Sequence, residues 1–156
     1  MIEYKLNIGD VAVSATKASY SCLGLGSCIG LFIQDRDKGL SGGAHIFLPD
    51  SEGEYVHKNK FYNVTAALNE LLTQFKLLGS DLLSVRAKVV GGSNVINVSI
   101  PVGQRNAESV VSHLIARKIF IAALDVGGIF CRTVKFQSDT GQLSVWTPQI
   151  NERKIY

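Results

Sequence analysis

The sequence has no apolar run approaching the roughly 20 residues needed to cross a bilayer. Stretches such as Ile115 to Leu124 are broken by Arg117 and Lys118, so no membrane insertion is expected. The opening residues, Met1-Ile2-Glu3-Tyr4-Lys5, lack a basic segment leading into an apolar one. No export signal is expected from them, and the chain is expected in the cytoplasm. Cysteine is scarce: Cys22, Cys28 and Cys131 are an odd number, which argues against a disulfide framework and leaves at least one free thiol. None of the three sits in a Cys-x-x-Cys pair, and His45, His57 and His113 are far apart in sequence. A zinc site is therefore unsupported, and neither metal nor cofactor is expected. Sixteen basic and thirteen acidic residues are scattered without a basic stripe, which argues against a nucleic-acid partner. The glycines of Gly24-x-Gly26-x-x-x-Gly30 have the wrong spacing for a dinucleotide or P-loop fingerprint. Repeats and low-complexity linkers are missing as well. With 156 residues and 46% hydrophobic content, the chain reads as one domain, 1–156.

What is present is strand-rich. Tyr4, Leu6 and Ile8, then Val11 and Val13, alternate about Gly9-Asp10 and predict a half-buried hairpin. Tyr20 to Gln34 is a second apolar stretch, interrupted by a sharp backbone feature near Gly24 to Cys28. Asp35 to Gly39 is turn-forming, and Leu40 to Leu48 resumes an extended pattern until Pro49. Pro49 to Lys58 is polar and aperiodic. Apolar residues from Phe61 to Leu78 then recur at helical spacing and predict a first helix ending at Gly79. Val85 to Val90 reads as a strand running into Gly91-Gly92-Ser93-Asn94, and Asn106 reads as the N-cap of a second helix. Strands are predicted over Ile119 to Leu124, Arg132 to Gln137 and Gln142 to Thr147, the last two joined through Asp139-Thr140-Gly141. Mostly strands with two inserted helices suggest an α+β or layered α/β fold instead of a doubly wound parallel sheet.

One segment is placed for chemistry. Leu23-Gly24-Leu25-Gly26-Ser27-Cys28-Ile29-Gly30 sets a thiol after two glycines, where small neighbours leave sulfur and backbone N–H groups accessible. A thiol titrating near pH ~8.5 needs an imidazole or a helix N-terminus to become nucleophilic at neutral pH. A hairpin centred between Arg36 and Asp37 would pair Cys28 directly with His45, within the about 4.5–5.5 Å of opposed Cβ atoms. On spacing alone the two also read as a core thiol and a structural histidine. Cys131, which follows Gly127-Gly128 with no histidine near in sequence, reads as structural, and His57 and His113 read as surface or helix residues.

The same segment, followed by Gly43-Ala44-His45-Ile46-Phe47-Leu48-Pro49-Asp50, resembles the nucleophile and histidine motifs of the CheD family. The likeness continues in order through Gly91-Gly92-Ser93-Asn94, Ile100, Gly103-Gln104-Arg105-Asn106, Asp125-Val126-Gly127-Gly128, Arg132, Phe136 and Thr140-Gly141. It implies a chemoreceptor glutamine deamidase with a Cys-His-Thr triad. The implied fold is a layered sandwich like that of the cytotoxic necrotising factor toxins, and the implied partners are chemoreceptor cytoplasmic helices and the phosphatase CheC. The chain departs from the pattern once: Cys22, beside Ser21, stands where the family has threonine. Cys22 is the candidate third member of the site, but a thiol is a poorer hydrogen-bond partner than a hydroxyl, so orientation of His45 falls to Ser21, to a backbone carbonyl, or is weaker.

The resemblance implies that Cys28 attacks a glutamine amide, that His45 protonates the departing ammonia, and that water cleaves the thioester. The Cys28 N–H is expected to bind the oxyanion, with Ser27 and the loop Gly91, Gly92, Ser93 and Asn94 contributing to the substrate or oxyanion site. Two other readings stand beside this one. One is a catalytically weak adaptor that binds receptors or CheC; the other is a cysteine protease or transglutaminase sharing the nucleophile.

Overall fold

The apolar run of Ile29 to Ile33 is explained by burial on both sides, because its strand lies in a sheet that is sandwiched between a second sheet and two helices. This is seen in the computed structural model, which describes residues 1–50, 53–95 and 99–156. Ser51 and Glu52, within the polar segment after Pro49, lie outside the described residues. The strands are β1 (Ile2–Lys5), β2 (Val11–Ser14), β3 (Ala18–Leu25), β4 (Ile29–Asp35), β5 (Leu40–Ile46), β6 (Val56–His57) and β7 (Lys60–Phe61). Helix α1 (Val64–Leu77), β8 (Val85–Gly91), α2 (Val102–Ala116), β9 (Phe120–Val126), β10 (Arg132–Gln137), β11 (Gln142–Thr147) and β12 (Glu152–Ile155) complete the chain. One sheet has the order β1-β3-β10-β11-β12 and the other β2-β5-β4-β8-β9. Among the named strands β1 with β3 and β8 with β9 pair in parallel and the rest are antiparallel, so the layered, mostly antiparallel α/β fold expected from the sequence is the one observed.

Alternation assigns each residue of β4 to a layer. Ile29, Leu31 and Ile33 pack with Leu68, Leu71 and Phe75 of α1 and Val110 and Leu114 of α2. Phe32 faces the other way, into a cluster with Tyr20, Cys22, Val134 and Phe136 between the sheets. Helix α1 starts where Asn63 caps it, its side chain accepting from Ala66 N at 2.9 Å, and ends before Gly79, as its periodicity predicts.

Three expectations are corrected. The N-terminal strands form no hairpin: β1 joins the first sheet and β2 the second, with the chain crossing between layers through a turn over Asn7 to Asp10. Alternation specifies which face is buried and says nothing of the partner strand. Helix α2 begins at Val102, with Pro101 at its N-cap, so Asn106 is inside the helix and fully buried. The hairpin of β4 and β5 closes through Arg36 to Gly39, pairing Asp35 with Leu40 and Gly30 with His45. That register lies two residues from the one that would oppose Cys28 to His45. A two-residue slip keeps side chains on their face, so both still point between the sheets. Strand β12 and the short β6–β7 hairpin have no counterpart in the sequence reading.

Candidate active site

Cys28 ends the bend between β3 and β4, and its loop is held by three consecutive carbonyls. Gly26 O accepts from Ser93 N at 2.8 Å, Ser27 O from Asn106 Nδ2 at 2.8 Å, and Cys28 O from Gly92 N at 2.9 Å. The last of these is possible only because residue 91 is glycine: with φ at +113°, a Cβ there would lie 2.3 Å from Cys28 O. Gly103 acts likewise in the first turn of α2, where a Cβ would lie 2.2 Å from Ser93 O. The Gly91 to Asn94 loop is tied down in turn by Arg132, which donates to Ser93 Oγ at 2.6 Å and Gly127 O at 2.9 Å and pairs with Asp125 at 3.2 Å.

His45 is fixed by the turn that carries the chain between the sheets. Its backbone N–H donates to Asp10 O at 3.1 Å and its carbonyl accepts from Gly9 N at 2.9 Å. Its ring Nδ1 lies 2.9 Å from Leu6 O. A carbonyl only accepts, so Nδ1 carries the proton and Nε2 is left with its lone pair.

Cys28 and His45 line one cleft of about 570 Å³, together with Leu6, Asn7, Ser21 and Leu23. Both are nearly buried, at 9% and 7% exposure. Burial pushes the Cys28 thiol above its ordinary range. Burial also pulls the His45 imidazole down, opposed by the Leu6 carbonyl and the Asp10 charge. Both shifts favour the uncharged forms, a thiol and an imidazole, and no hydrogen bond joins the two side chains among the described residues. Such a pair is suited to a base that takes the thiol proton as the sulfur attacks, instead of a preformed thiolate.

Cys22 is completely buried in the cluster between the sheets, and burial raises its thiol to about 12. It makes no hydrogen bond to the imidazole among the described residues; the orienting bond goes to the Leu6 carbonyl, one of the alternatives left open by the sequence. Ser27, Ser93 and Asn94 line a separate cleft of about 370 Å³ that includes neither Cys28 nor His45. The N–H groups of Gly92 and Ser93 are engaged by the carbonyls of Cys28 and Gly26 and hold the loop of Cys28, and the N–H of Asn94 is engaged by Gly128 O, so none of the three is free to receive an oxyanion. Cys131 is half-buried near Gly26 without a histidine, His113 pairs with Asp50, and His57 is exposed on β6. A groove of about 630 Å³ at Lys17, Gln34 and Arg36 contains neither cysteine nor histidine.

Two contributors are not legible in these roles from the sequence. Leu6 acts through its carbonyl, which its side chain does not advertise. Asn106, read as a cap, donates from inside α2 to Ser27 O at 2.8 Å and Phe47 O at 3.2 Å, bridging the loop of Cys28 and the end of the strand of His45.

Comparison with known proteins gives one family. The family model described as CheD chemotactic sensory transduction matches residues 47–147, a span that begins two residues after His45. Curated relatives extend the likeness over nearly the whole chain. A Halalkalibacterium halodurans protein named chemoreceptor glutamine deamidase CheD is 35% identical over 97% of this chain and 97% of its own. Probable chemoreceptor glutamine deamidases from Lachnoclostridium phytofermentans and Desulfitobacterium hafniense are 33% and 34% identical, covering 97% and 96% of this chain and 97% and 98% of theirs. Among solved structures, a Neisseria meningitidis protein of family DUF152 aligns with a TM-score of 0.40 at 12% identity, over 77% of this chain and 52% of that one, too slight a likeness to argue from.

Proposed function

The chain belongs to the CheD family, and on that premise we propose that it is a chemoreceptor glutamine deamidase, converting receptor glutamine side chains to glutamate with release of ammonia. The observation that carries the reading is the shared cleft of Cys28 and His45, with Nδ1 held by the Leu6 carbonyl and Nε2 available to the thiol. In the proposed cycle the Cys28 thiol proton passes to His45 Nε2 as sulfur bonds to the amide carbon. His45 then returns that proton to the leaving nitrogen, and ammonia departs from the thioester. A water enters, His45 takes its proton, and the carbon–sulfur bond breaks to give the glutamate carboxyl group and the regenerated thiol. Net, one amide and one water become one carboxylic acid and one ammonia. The Cys28 N–H is the proposed oxyanion donor, since those of Gly92, Ser93 and Asn94 are taken. Cys22 in this proposal packs between the sheets close to the pair and leaves orientation to Leu6.

Replacing a neutral amide by a carboxylate on a receptor helix alters charge repulsion between helices and creates a site for methyl esterification, which is how the reaction would serve adaptation in chemotaxis. A CheC-type phosphatase as partner is part of the same proposal and is tested by co-elution of the two purified proteins. The experiment for the activity is peptide mass spectrometry of receptor incubated with wild-type protein or Cys28→Ala. Glutamine-to-glutamate conversion by the wild type alone is expected, and conversion by neither or both overturns the reading. One observation favours the adaptor reading: the Cys28 thiol is raised and without a hydrogen bond to His45. Receptor binding without ammonia release would select it.

A further inference from the structure

The cleft of Cys28 and His45 is not closed off at its outer rim. Ser21 and Leu23 line it and also line a second trough of about 390 Å³, which crosses the outer face of the β1-β3-β10-β11-β12 sheet. The ladder pairs build that trough from two rows of outward side chains. One row runs Ser21, Lys135, Ser144, Ile155, and the other runs from Leu23 past Thr133 and Trp146 to Arg153. No helix or strand of the described residues covers this face. Its apolar members stand well out, Leu23 at 70% and Ile155 at 67% exposure. Trp146 lies under the Arg153 guanidinium, 4.7 Å from ring centroid to Cζ.

Resting on the deamidase reading, we propose that this sheet face is the docking surface for the substrate segment, and that it takes a single amphipathic helix carrying acidic residues beside the target glutamine. Continuity decides the location: a helix lying in the trough passes Leu23 and Ser21, the residues at which the trough opens into the cleft. The occupant is helical because the surface is a sheet face and not an edge. Across that face the strands spend their backbone groups on one another, so the partner must satisfy its own, as a helix does in the groove-binding mode. Crossing from β3 to β12 spans three strand spacings of about 4.8 Å, which about ten helical residues at ~1.5 Å rise would cover. Charge sets the chemistry. Lys5, Lys135 and Arg153 border the path against Glu3, which pairs with Lys135 at 3.6 Å. That exposed pair is weak and exchangeable, so the surface keeps a positive excess for carboxylates of the partner.

Trp146 is the chain's one tryptophan, so its fluorescence reports on this face alone. The test titrates Cys28→Ala protein, which cannot turn over, with a fluorescently labelled cytoplasmic helical fragment of a chemoreceptor. Fragment anisotropy and Trp146 emission are followed together, and ammonia release by the wild type is measured on the same fragment. Trp146 emission is expected to change with the same midpoint as the anisotropy, and Ile155→Asp is expected to weaken binding about tenfold. Binding with silent Trp146 emission, or unweakened binding by Ile155→Asp, overturns the docking surface while deamidation still stands. Neither binding nor ammonia release overturns the deamidase reading and the docking surface with it.

Discussion

Replacing Gly91 by alanine tests whether Cys28, the proposed nucleophile, is positioned by backbone contact alone. The new Cβ would sit 2.3 Å from Cys28 O, whereas such a carbon–oxygen contact is comfortable at about 3.3 Å, so one of the two must move by about 1 Å. The atom pressed is the carbonyl of Cys28, the proposed nucleophile, and it already accepts from Gly92 N at 2.9 Å. Alanine at φ +113° costs on the order of 1–3 kcal/mol before any clash, and displacement of the loop brings the total to about 3 kcal/mol or more. For a chain of this size that lowers Tm by roughly 6–12 °C. A ~1 Å misplacement of a reacting group costs on the order of 100-fold in rate, so turnover should fall further than stability alone explains. The control is Gly39→Ala in the β4–β5 loop, which has a similar positive φ of +67° but open space around it. It should lose only about 1 kcal/mol and leave turnover unchanged. Ammonia release and thermal unfolding are measured on both variants at a temperature where each is folded. A Gly91→Ala protein with wild-type turnover and the melting point of Gly39→Ala would show that the Gly91 contact does not position Cys28.

Cys22→Ala should keep turnover within about twofold of wild type, because the Leu6 carbonyl orients His45, while losing about 1 kcal/mol of packing; a tenfold loss of ammonia release would return the orienting role to Cys22. Cys22→Thr should leave the rate flat for the same reason, and a clear rise in turnover would count against Leu6. Since burial raises the Cys28 thiol, its iodoacetamide alkylation should have a midpoint above the ordinary ~8.5, and a midpoint at or below that value contradicts the buried neutral thiol. Burial lowers the His45 pKa, so the basic imidazole persists as pH falls through ~6.5; kcat/KM should hold there and drop only at lower pH, and a decline centred above 6.5 in the pH profile would be the contrary result. Asn106→Ala removes the donor shared by Ser27 O and Phe47 O, and should cost roughly 2–4 kcal/mol in thermal unfolding together with at least tenfold in turnover; an unchanged melting curve would show the bridge to be dispensable.

The layers were legible because burial leaves a periodic mark. Leu68, Leu71 and Phe75 announce α1, and the unbroken apolar run of β4 announces a strand covered on both sides. Pairing leaves a weaker mark. Asp35 to Gly39 declares a turn without declaring its length, so the expected register was two residues off, and the shared face of Cys28 and His45 survived only because an even slip preserves faces. Tyr4 to Val13 shows alternation in both halves, yet the halves enter different sheets, since partner choice depends on contacts distant in sequence. Asn106 carries the side chain of a cap and is used as a buried bridge, while Pro101 begins the helix instead. The histidine's orienting partner could not be read from any side chain, because it is the backbone oxygen of Leu6.

In the proposed reaction Cys28 and His45 together hydrolyse a receptor glutamine amide. Its most direct test is ammonia released from purified chemoreceptor by wild type, Cys28→Ala and His45→Ala, each first shown by circular dichroism to be folded. Release by the wild type and none above background from either variant is expected. Ammonia release by folded Cys28→Ala or His45→Ala at the wild-type rate would contradict it.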